Sequence, residues 1–493
     1  MENSAQQKSI KKNSFYSFIN ALTTLVLPVI TFPYASRILH PEGIGKVNFV
    51  TAIEGYFAII AGLGISAYAT REAARLRDDR HALTKFCKEM IAINSLSMAV
   101  SYGLLCMAII FIPKLESYRL MILIRSVNIF FTTIGLEWLY RAEEDFKYIT
   151  LRSLIFKFSG LAYLFIFVKT QDDTIEYLIF DILTSVASNI YNLAHSRKYI
   201  DYRYKCRLEL SRHLRPIFTF FGMSVIVSVY TILDTSMIGF LSTETQVGYY
   251  SAATRLTKMT IGVLTSVTSV ILPRLSYYRQ IGEEKKFLSL AEKSLSINTL
   301  LALPMLVGLI FLARPLVLLF AGEAYIPAVT AMNIISPILF FISSTSIIGG
   351  QIFPAMGKEK RTLVSVTIGA LTNITLNAVF IPRLGATGAA IGTTAAEFMV
   401  LVIDICFIRS LISKTYIINF TQALIGSGIE AGLIFFLSRI ISHPIPLIAV
   451  SIVSSIAVYY LFLLIVRNKY IIEYTELFIS RIRSKRKNTI IDQ

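Results

Sequence analysis

From Phe15 to Val466 the chain returns repeatedly to apolar runs of about 20 residues, the length an α-helix needs to cross roughly 30 Å of hydrocarbon. This recurrence constrains the fold more than any other feature. Lipid offers the backbone no hydrogen-bond partner, so such runs must satisfy their own peptide groups as helices. A transmembrane barrel is excluded, because its strands alternate polar and apolar residues over about ten positions. The whole chain is 54% apolar and only 16% charged over 493 residues, a balance that would leave a soluble domain with apolar surface everywhere. The expectation is an all-α polytopic membrane protein of about fourteen transmembrane helices. They fall at roughly 15–38, 46–69, 88–112, 119–139, 150–168, 174–194, 217–241, 247–272, 293–313, 325–353, 361–381, 386–408, 417–438 and 445–466.

The net charge of +17 invites a nucleic-acid reading, but its placement argues against one. With the N-terminus cytoplasmic, 36 of the 48 Lys and Arg lie in cytoplasmic segments and span ends, and eight face the other way. That is the positive-inside pattern, and it puts both termini in the cytoplasm. The remaining four, Arg125, Lys157, Arg255 and Lys258, lie inside spans. Lys8, Lys11 and Lys12 precede an apolar stretch too long for a signal peptide and not followed by a cleavage site, so that stretch reads as the first span. Cys87, Cys106, Cys206 and Cys406 sit in or beside spans or in a cytoplasmic loop, with no disulfide pattern.

The longest loop, His195 to Arg215, is strongly basic and reads as a headgroup-facing linker. Around it the chain repeats itself at an offset of 203 residues. Ile44-Gly45 matches Val247-Gly248, Arg71 matches Arg274 and Glu89 matches Glu292, while Pro113 and Pro315 close the following span within one residue of register. An offset of six spans makes the two copies parallel. The expected organisation is an N-terminal six-helix bundle at 1–210, a second at 211–410, and two extra helices with a basic cytoplasmic tail at 411–493. Pro28 and Pro33, Pro304, and Pro337 and Pro354 mark expected kinks in the first, ninth and tenth spans. Gly388 and Gly392 form a GxxxG that reads as helix packing.

The chemistry lies in the polar residues held within spans. Arg255 and Lys258, three apart on one helix face, cost about 2.5–3.5 kcal/mol each at such depth on lenient insertion scales, so they line something wet or anionic. The inventory also holds Glu54, Arg125, Glu137, Lys157, Asp181, Asp234, Glu397, Asp404 and Glu430. Glu137, Lys157 and Asp234 lie near span ends and can snorkel. Arg125 shares a face with Asn128 and Thr132, and Glu397 shares one with Asp404. The deeper Arg125, Arg255, Lys258, Glu397 and Glu430 are expected to face inward, with charge pairing, such as an Arg–Glu bridge locking one conformation, as the alternative for some of them. The five histidines are scattered, which disfavours a metal site, and there is no P-loop or nucleophile elbow. Without a large external loop, a membrane-embedded glycan enzyme is disfavoured too. The expectation is a transporter, not an enzyme.

The block FPYASRILHPEGIGKVNFVTAIEGYFAIIAGLGISAYATREAARLRDD at 32–79 resembles the N-terminal signature of bacterial Wzx-type oligosaccharide flippases, members of the multidrug/oligosaccharidyl-lipid/polysaccharide superfamily. LDTSMIGFL (233–241), VGYYSAATRL (247–256), VILPRLS (270–276) and FIPRLGATGAAIGTTAAEF (380–398) are similar to its second half. The resemblance implies two six-helix bundles flanking a central cavity, in the bacterial cytoplasmic (inner) membrane. It also implies alternating-access transfer of a polyprenyl (undecaprenyl) pyrophosphate-linked oligosaccharide to the periplasmic leaflet, for O-antigen, capsule or another surface polysaccharide. Partners implied are that lipid-linked glycan, membrane lipids and other assembly proteins such as a polymerase. The 249–276 stretch is similar to a helix of lipid II flippases in which an arginine at the Arg255 position belongs to the cationic headgroup site. The first span departs from that group, with no arginine before Arg37.

On these grounds Arg255, Lys258 and Arg125 are the expected pyrophosphate contacts, Arg having the bidentate geometry for phosphate oxygens. Tyr249, Tyr250 and Asn128 are the expected sugar contacts. Glu397, Asp404, Glu430 and Glu54 are candidates for H⁺ or Na⁺ coupling, and no other cofactor is expected. The alternative is a multidrug-extrusion-type cation antiporter, which an acidic cavity built on Glu54, Glu397 and Glu430 would favour.

Overall fold

The computed structural model describes residues 2–268, 271–411, 413–476 and 480. The basic tail from 481 onward, and the side chains of Lys8, Lys11 and Lys12, lie outside the described residues. The chain forms α1 (Glu2–Gly62), α2 (Ile65–Leu76), α3 (Arg80–Phe111), α4 (Arg119–Ile134), α5 (Phe146–Phe167), α6 (Thr174–His195), α7 (Ser211–Leu241) and α8 (Glu244–Thr268). It continues with α9 (Glu284–Phe311), α10 (Ala328–Ile335), α11 (Ile338–Ile347), α12 (Glu359–Leu384), α13 (Ala386–Ile408), α14 (Lys414–Ile440) and α15 (Pro444–Ile465), joined by short helical turns.

Ten helical stretches of the described residues are long and apolar enough to cross a membrane. One of them, running over α1 and α2, holds two expected spans, separated where His40 takes φ 55° just before Pro41. Beyond these, α6, α7 and α8 have 22, 31 and 25 residues and stand at the sixth, seventh and eighth expected positions. Span ends differ from the sequence reading where the backbone turns left-handed: the second span stops at Leu63 (φ 46°) and the fourth before Leu136 (φ 51°). Outward faces are apolar, with Phe111 74% and Ile465 78% exposed, as expected of surfaces that meet lipid rather than water.

Two compact units divide at Ser251/Ala252, within α8. In the first, α1 packs against α3, α4, α5, α6 and α7. Ile65, Phe86, Met90, Trp138 and Ile217 are fully or nearly fully buried in its core. α7 packs on α1 and α2 in this unit, although the repeat assigns it to the second copy. In the second unit, α12 pairs with α13, α9 with α14, and α14 with α15. Phe287, Ile352, Phe353 and Leu401 form a core there. Lipid supplies no hydrophobic drive between helices, so close packing over small residues must hold them. Gly388 and Gly392 serve this end. A Cβ on Gly388 would lie 2.5 Å from the Phe380 carbonyl oxygen, and one on Gly392 would strike the Asn377 side chain.

The same device explains the repeat-related pair Gly45 and Gly248. A Cβ on Gly45 would collide with the Glu244 carbonyl, and one on Gly248 with the Pro41 carbonyl, so the two glycines make one reciprocal close crossing in the first unit. Beside it, Glu244 accepts a hydrogen bond from the Tyr118 hydroxyl and lies 3.8 Å from Lys114 Nζ. Backbone cannot step aside as a side-chain tip can, so Gly45→Val or Gly248→Val is expected to cost several kcal/mol, the overpacking range or beyond. The measurement is the yield and melting temperature of the purified variants. Wild-type values for both would remove the crossing as a packing requirement.

Of the prolines expected to kink spans, Pro28 and Pro33 lie inside α1 and Pro304 inside α9 without breaking them, the break in α1 falling at His40, whereas Pro337 separates α10 from α11. After α11 a π-helical turn, Ile348–Ile352, precedes Pro354. There the Gly349 carbonyl accepts the Thr362 hydroxyl of α12 at 3.0 Å, a side-chain partner of the kind that broken membrane helices require.

Candidate functional site

In the first unit four polar side chains from three helices meet. Arg125 of α4 is 8% exposed, and its Nε donates to Glu54 Oε2 of α1 at 3.4 Å, while a terminal nitrogen donates to Asp181 Oδ2 of α6 at 2.5 Å. Asn128, one turn further along α4, donates to Glu54 Oε1 at 3.2 Å. Glu54 is 4% exposed. Asp181 is half exposed. A lone charge at this depth is prohibitive, and the cluster sets one guanidinium between two carboxylates, with an amide completing the more buried one. An external anion reaching Arg125 from the open side would have to displace Asp181. Three residues expected in different roles, Arg125, Asn128 and Glu54, are thus brought together.

Tyr250 is buried and spends its hydroxyl on Asp234 Oδ2, 2.5 Å away on α7, so α7 and α8 are joined by a polar bond in their apolar contact. Ser236, next on α7, shares a 2.7 Å hydrogen bond with Tyr56 of α1. Tyr249 is half-buried. On α8, Arg255 is half-buried and Lys258 exposed, about 16 and 21 Å along a helix that is about 37 Å long. Lys258 therefore presents its ammonium openly at mid-helix.

The acidic candidates of the second unit do not form one cluster. Asp404 of α13, 1% exposed, lies beside the π-helical turn, where a Cβ on Gly349 would stand 3.6 Å from its Oδ2. Glu397 is buried two turns earlier on the same helix. Glu430 of α14 faces a different space, shared with α9 and α15.

Two polar networks escaped the sequence reading. Arg152 of α5, 5% exposed, donates to Glu137 Oε2 at 2.7 Å and to Asn192 Oδ1, while the Tyr148 hydroxyl donates to the same Asn192 oxygen at 3.1 Å. Arg152 sits at a span edge, where a snorkelling cation and a buried one look alike in sequence. The second network ties down the basic linker. Glu89 of α3, fully buried, accepts from the Glu209 amide at 2.8 Å and from Arg212 at 2.7 Å, and lies 2.9 Å from His213 Nε2. His213 Nδ1 in turn bonds the Tyr68 hydroxyl at 2.7 Å. The start of α7 is thereby clamped to α2 and α3. Only the repeated position of Glu89 hinted at this.

Apolar helices with broken spans and deep charged residues make this a polytopic helical membrane protein, and solved structures share the fold. A lipid II flippase, MurJ, in an inward closed conformation superposes with a TM-score of 0.76 at 18% identity, covering 94% of this chain and 99% of that one. An inward-facing multidrug resistance transporter of the MATE family superposes with a TM-score of 0.60 at 14% identity, over 79% and 94%. The chain belongs to the polysaccharide biosynthesis protein family, which matches residues 10–279; the MatE family matches 220–379. It is 25% identical over 407 residues to a protein of Escherichia coli (strain K12) named "Putative O-antigen transporter", covering 82% of this chain and 97% of that one. It is also 25% identical over 233 residues, 45% and 48% of the two chains, to the "Probable low-salt glycan biosynthesis flippase Agl15" of Haloferax volcanii.

Proposed function

We propose that the chain is a flippase that carries a polyprenyl-pyrophosphate-linked oligosaccharide from the cytoplasmic to the outer leaflet by alternating access, for O-antigen, capsule or a related surface polysaccharide. The observation that carries this reading is the pair Arg255 and Lys258, two cations at mid-helix in a member of the polysaccharide biosynthesis family. A pyrophosphate brings at least two negative charges that must leave water, and an arginine fork with an adjacent ammonium answers that need. Half-buried Tyr249 supplies a sugar contact from the same helix, and Asn128, beside Arg125, supplies another. Arg125 contributes to the headgroup path by exchanging Asp181 for a phosphate oxygen.

The location we propose is the bacterial cytoplasmic membrane with both termini inside, following the positive-inside charge pattern. The repeat supports bundles at 1–210 and 211–410, with the helices after 411 added to them. The test is direct. Proteoliposomes of the purified chain receive a polyprenyl-pyrophosphate oligosaccharide in one leaflet, and a glycan-modifying enzyme reports its arrival in the other. Transfer well above that of empty vesicles is expected. Vesicles that exchange a cationic dye for H⁺ or Na⁺ but leave the glycan in place would instead establish the antiporter reading that the MatE match favours.

A further inference from the structure

A cavity of ≈ 630 Å³ in the second unit is lined by α9, α14 and α15. Its walls are largely aliphatic, including Leu300, Leu301, Met305, Leu309 and Ile434, yet Glu430, Ser451 and Ser455 also line it. Glu430 and Ser455 are each 5% exposed, Ser427 2% and Ser451 fully buried. Glu430 Oε2 and the hydroxyl oxygens of Ser427 and Ser451 are buried without a hydrogen-bond partner among the described residues, and the Ser455 hydroxyl stands against the Glu430 carboxyl. No Lys or Arg pairs with Glu430 there either.

These orphaned oxygens are not a general habit of serine in apolar helices. On the same two helices the Ser438 hydroxyl bonds back to the Phe435 carbonyl at 2.7 Å, and that of Ser454 to the Val450 carbonyl at 2.6 Å. The cavity-side serines do not. Spacing aims them together: Ser427 and Glu430 are three apart on α14, and Ser451 and Ser455 four apart on α15. Gly426 sets the register, since a Cβ there would come 2.8 Å from the Tyr459 ring. In an antiparallel pair, one turn further along α14 sets Glu430 level with Ser455. Gly308 of α9 keeps the remaining side open, a Cβ there standing 3.9 Å from Glu430 Oε1.

An unsatisfied buried polar group costs about 1–3 kcal/mol, and a carboxylate in hydrocarbon more, so a carboxyl and two serine hydroxyls lining one apolar cavity, with one hydrogen bond between them, favour an occupant that takes up their remaining lone pairs. The donor set is all oxygen with a single formal negative charge. That suits a hard cation, and one charge balances a monovalent ion rather than a divalent one. We propose that Glu430, Ser451 and Ser455 contribute the protein oxygens of a site for one Na⁺ ion at this cavity. The site is independent of the flippase reading, because it asks only what the folded second unit binds.

The test uses the full chain, purified in detergent, with thermal unfolding followed in choline chloride as Na⁺ or K⁺ replaces choline at constant ionic strength. Na⁺ is expected to raise the melting temperature saturably, by several degrees, and more than K⁺ does. Ser451→Ala combined with Ser455→Ala is expected to raise the half-saturating Na⁺ concentration at least about tenfold, two lost ligands being involved. Glu430→Gln is expected to abolish the response, and Ser454→Ala to leave it unchanged. Equal melting temperatures in Na⁺ and choline, or an unaltered response in both the Glu430 and the paired serine variants, overturn the proposal. A melting temperature that rises only with acidification, in either salt, overturns it in favour of a protonated Glu430. If Glu430→Gln fails to fold, the serine pair alone decides. Because the readout is ion binding, a negative result leaves glycan transfer in proteoliposomes as it was, and a failed transfer assay leaves this one standing.

Discussion

Arg255→Ala is expected to abolish surface polysaccharide in a strain that depends on this chain, while the protein stays at its normal level in the membrane. Arg255 is half-buried and Lys258 exposed, so removing the guanidinium opens no large void in a packed core. On the proposed headgroup assignment it removes one partner of a desolvated charge pair, a loss of about 2–5 kcal/mol, or roughly 30-fold to more than 1,000-fold in transfer. Arg255→Lys keeps the charge but loses the two-pronged geometry, and is expected to fall between wild type and the alanine variant. Lys258→Ala is expected to do less, because an ammonium is a point charge without the two-pronged fork of a guanidinium. The measurements are glycan display, accumulated lipid-linked precursor and protein level in the same cells. Full display by a stably inserted Arg255→Ala protein would remove the headgroup assignment.

Arg125→Ala is expected to fail in the opposite way, by destabilising the first unit. Glu54, 4% exposed, would lose its cation and keep only Asn128, and breaking a buried pair from one side costs about 3–5 kcal/mol. Asp181, half exposed, would find water and lose little. Removing both buried charges together, as Glu54→Gln with Arg125→Met, is expected to recover most of the stability, since a buried ion pair contributes little over an apolar replacement of like volume. Thermal unfolding of the single and double variants checks this, and an Arg125→Ala protein as stable as wild type would contradict it. The double variant then separates two roles. If it folds and still transfers glycan, Arg125 holds the helices together; if it folds and does not, the guanidinium meets the anion.

How much was legible beforehand varies by residue. The 203-residue offset singled out Gly45 and Gly248 as equivalent, and the backbone collision each would suffer with a Cβ gives the reason that glycine stands at both. It did not reveal that the two positions pack against each other. GxxxG at Gly388 was read as packing, and α13 does press on α12 there. Arg125, Asn128 and Glu54 were each singled out, but for a headgroup, a sugar and an ion, whereas in the folded chain they bond to one another. Tyr250 looked like a sugar contact from its place beside Arg255, but its hydroxyl is occupied by Asp234. Arg152, Asn192 and the cavity serines left no trace, because single polar residues at span edges or in highly apolar helices are common and cheap when satisfied.

By itself the sequence determined what depends on composition and period, the membrane-spanning helices, and it showed a charge asymmetry, a 203-residue offset between similar segments and two cations within the α8 span. A 3.6-residue period says which residues share a face of one helix. It does not say how that helix is rotated against its neighbours, and in lipid no hydrophobic drive between helices selects the answer. Arg125 meets partners 71 and 56 positions away along the chain, and such meetings arise only from packing. The tertiary structure therefore decided which buried charges neutralise one another, and which, like Glu430 with Ser451 and Ser455, line an apolar cavity without a paired cation among the described residues.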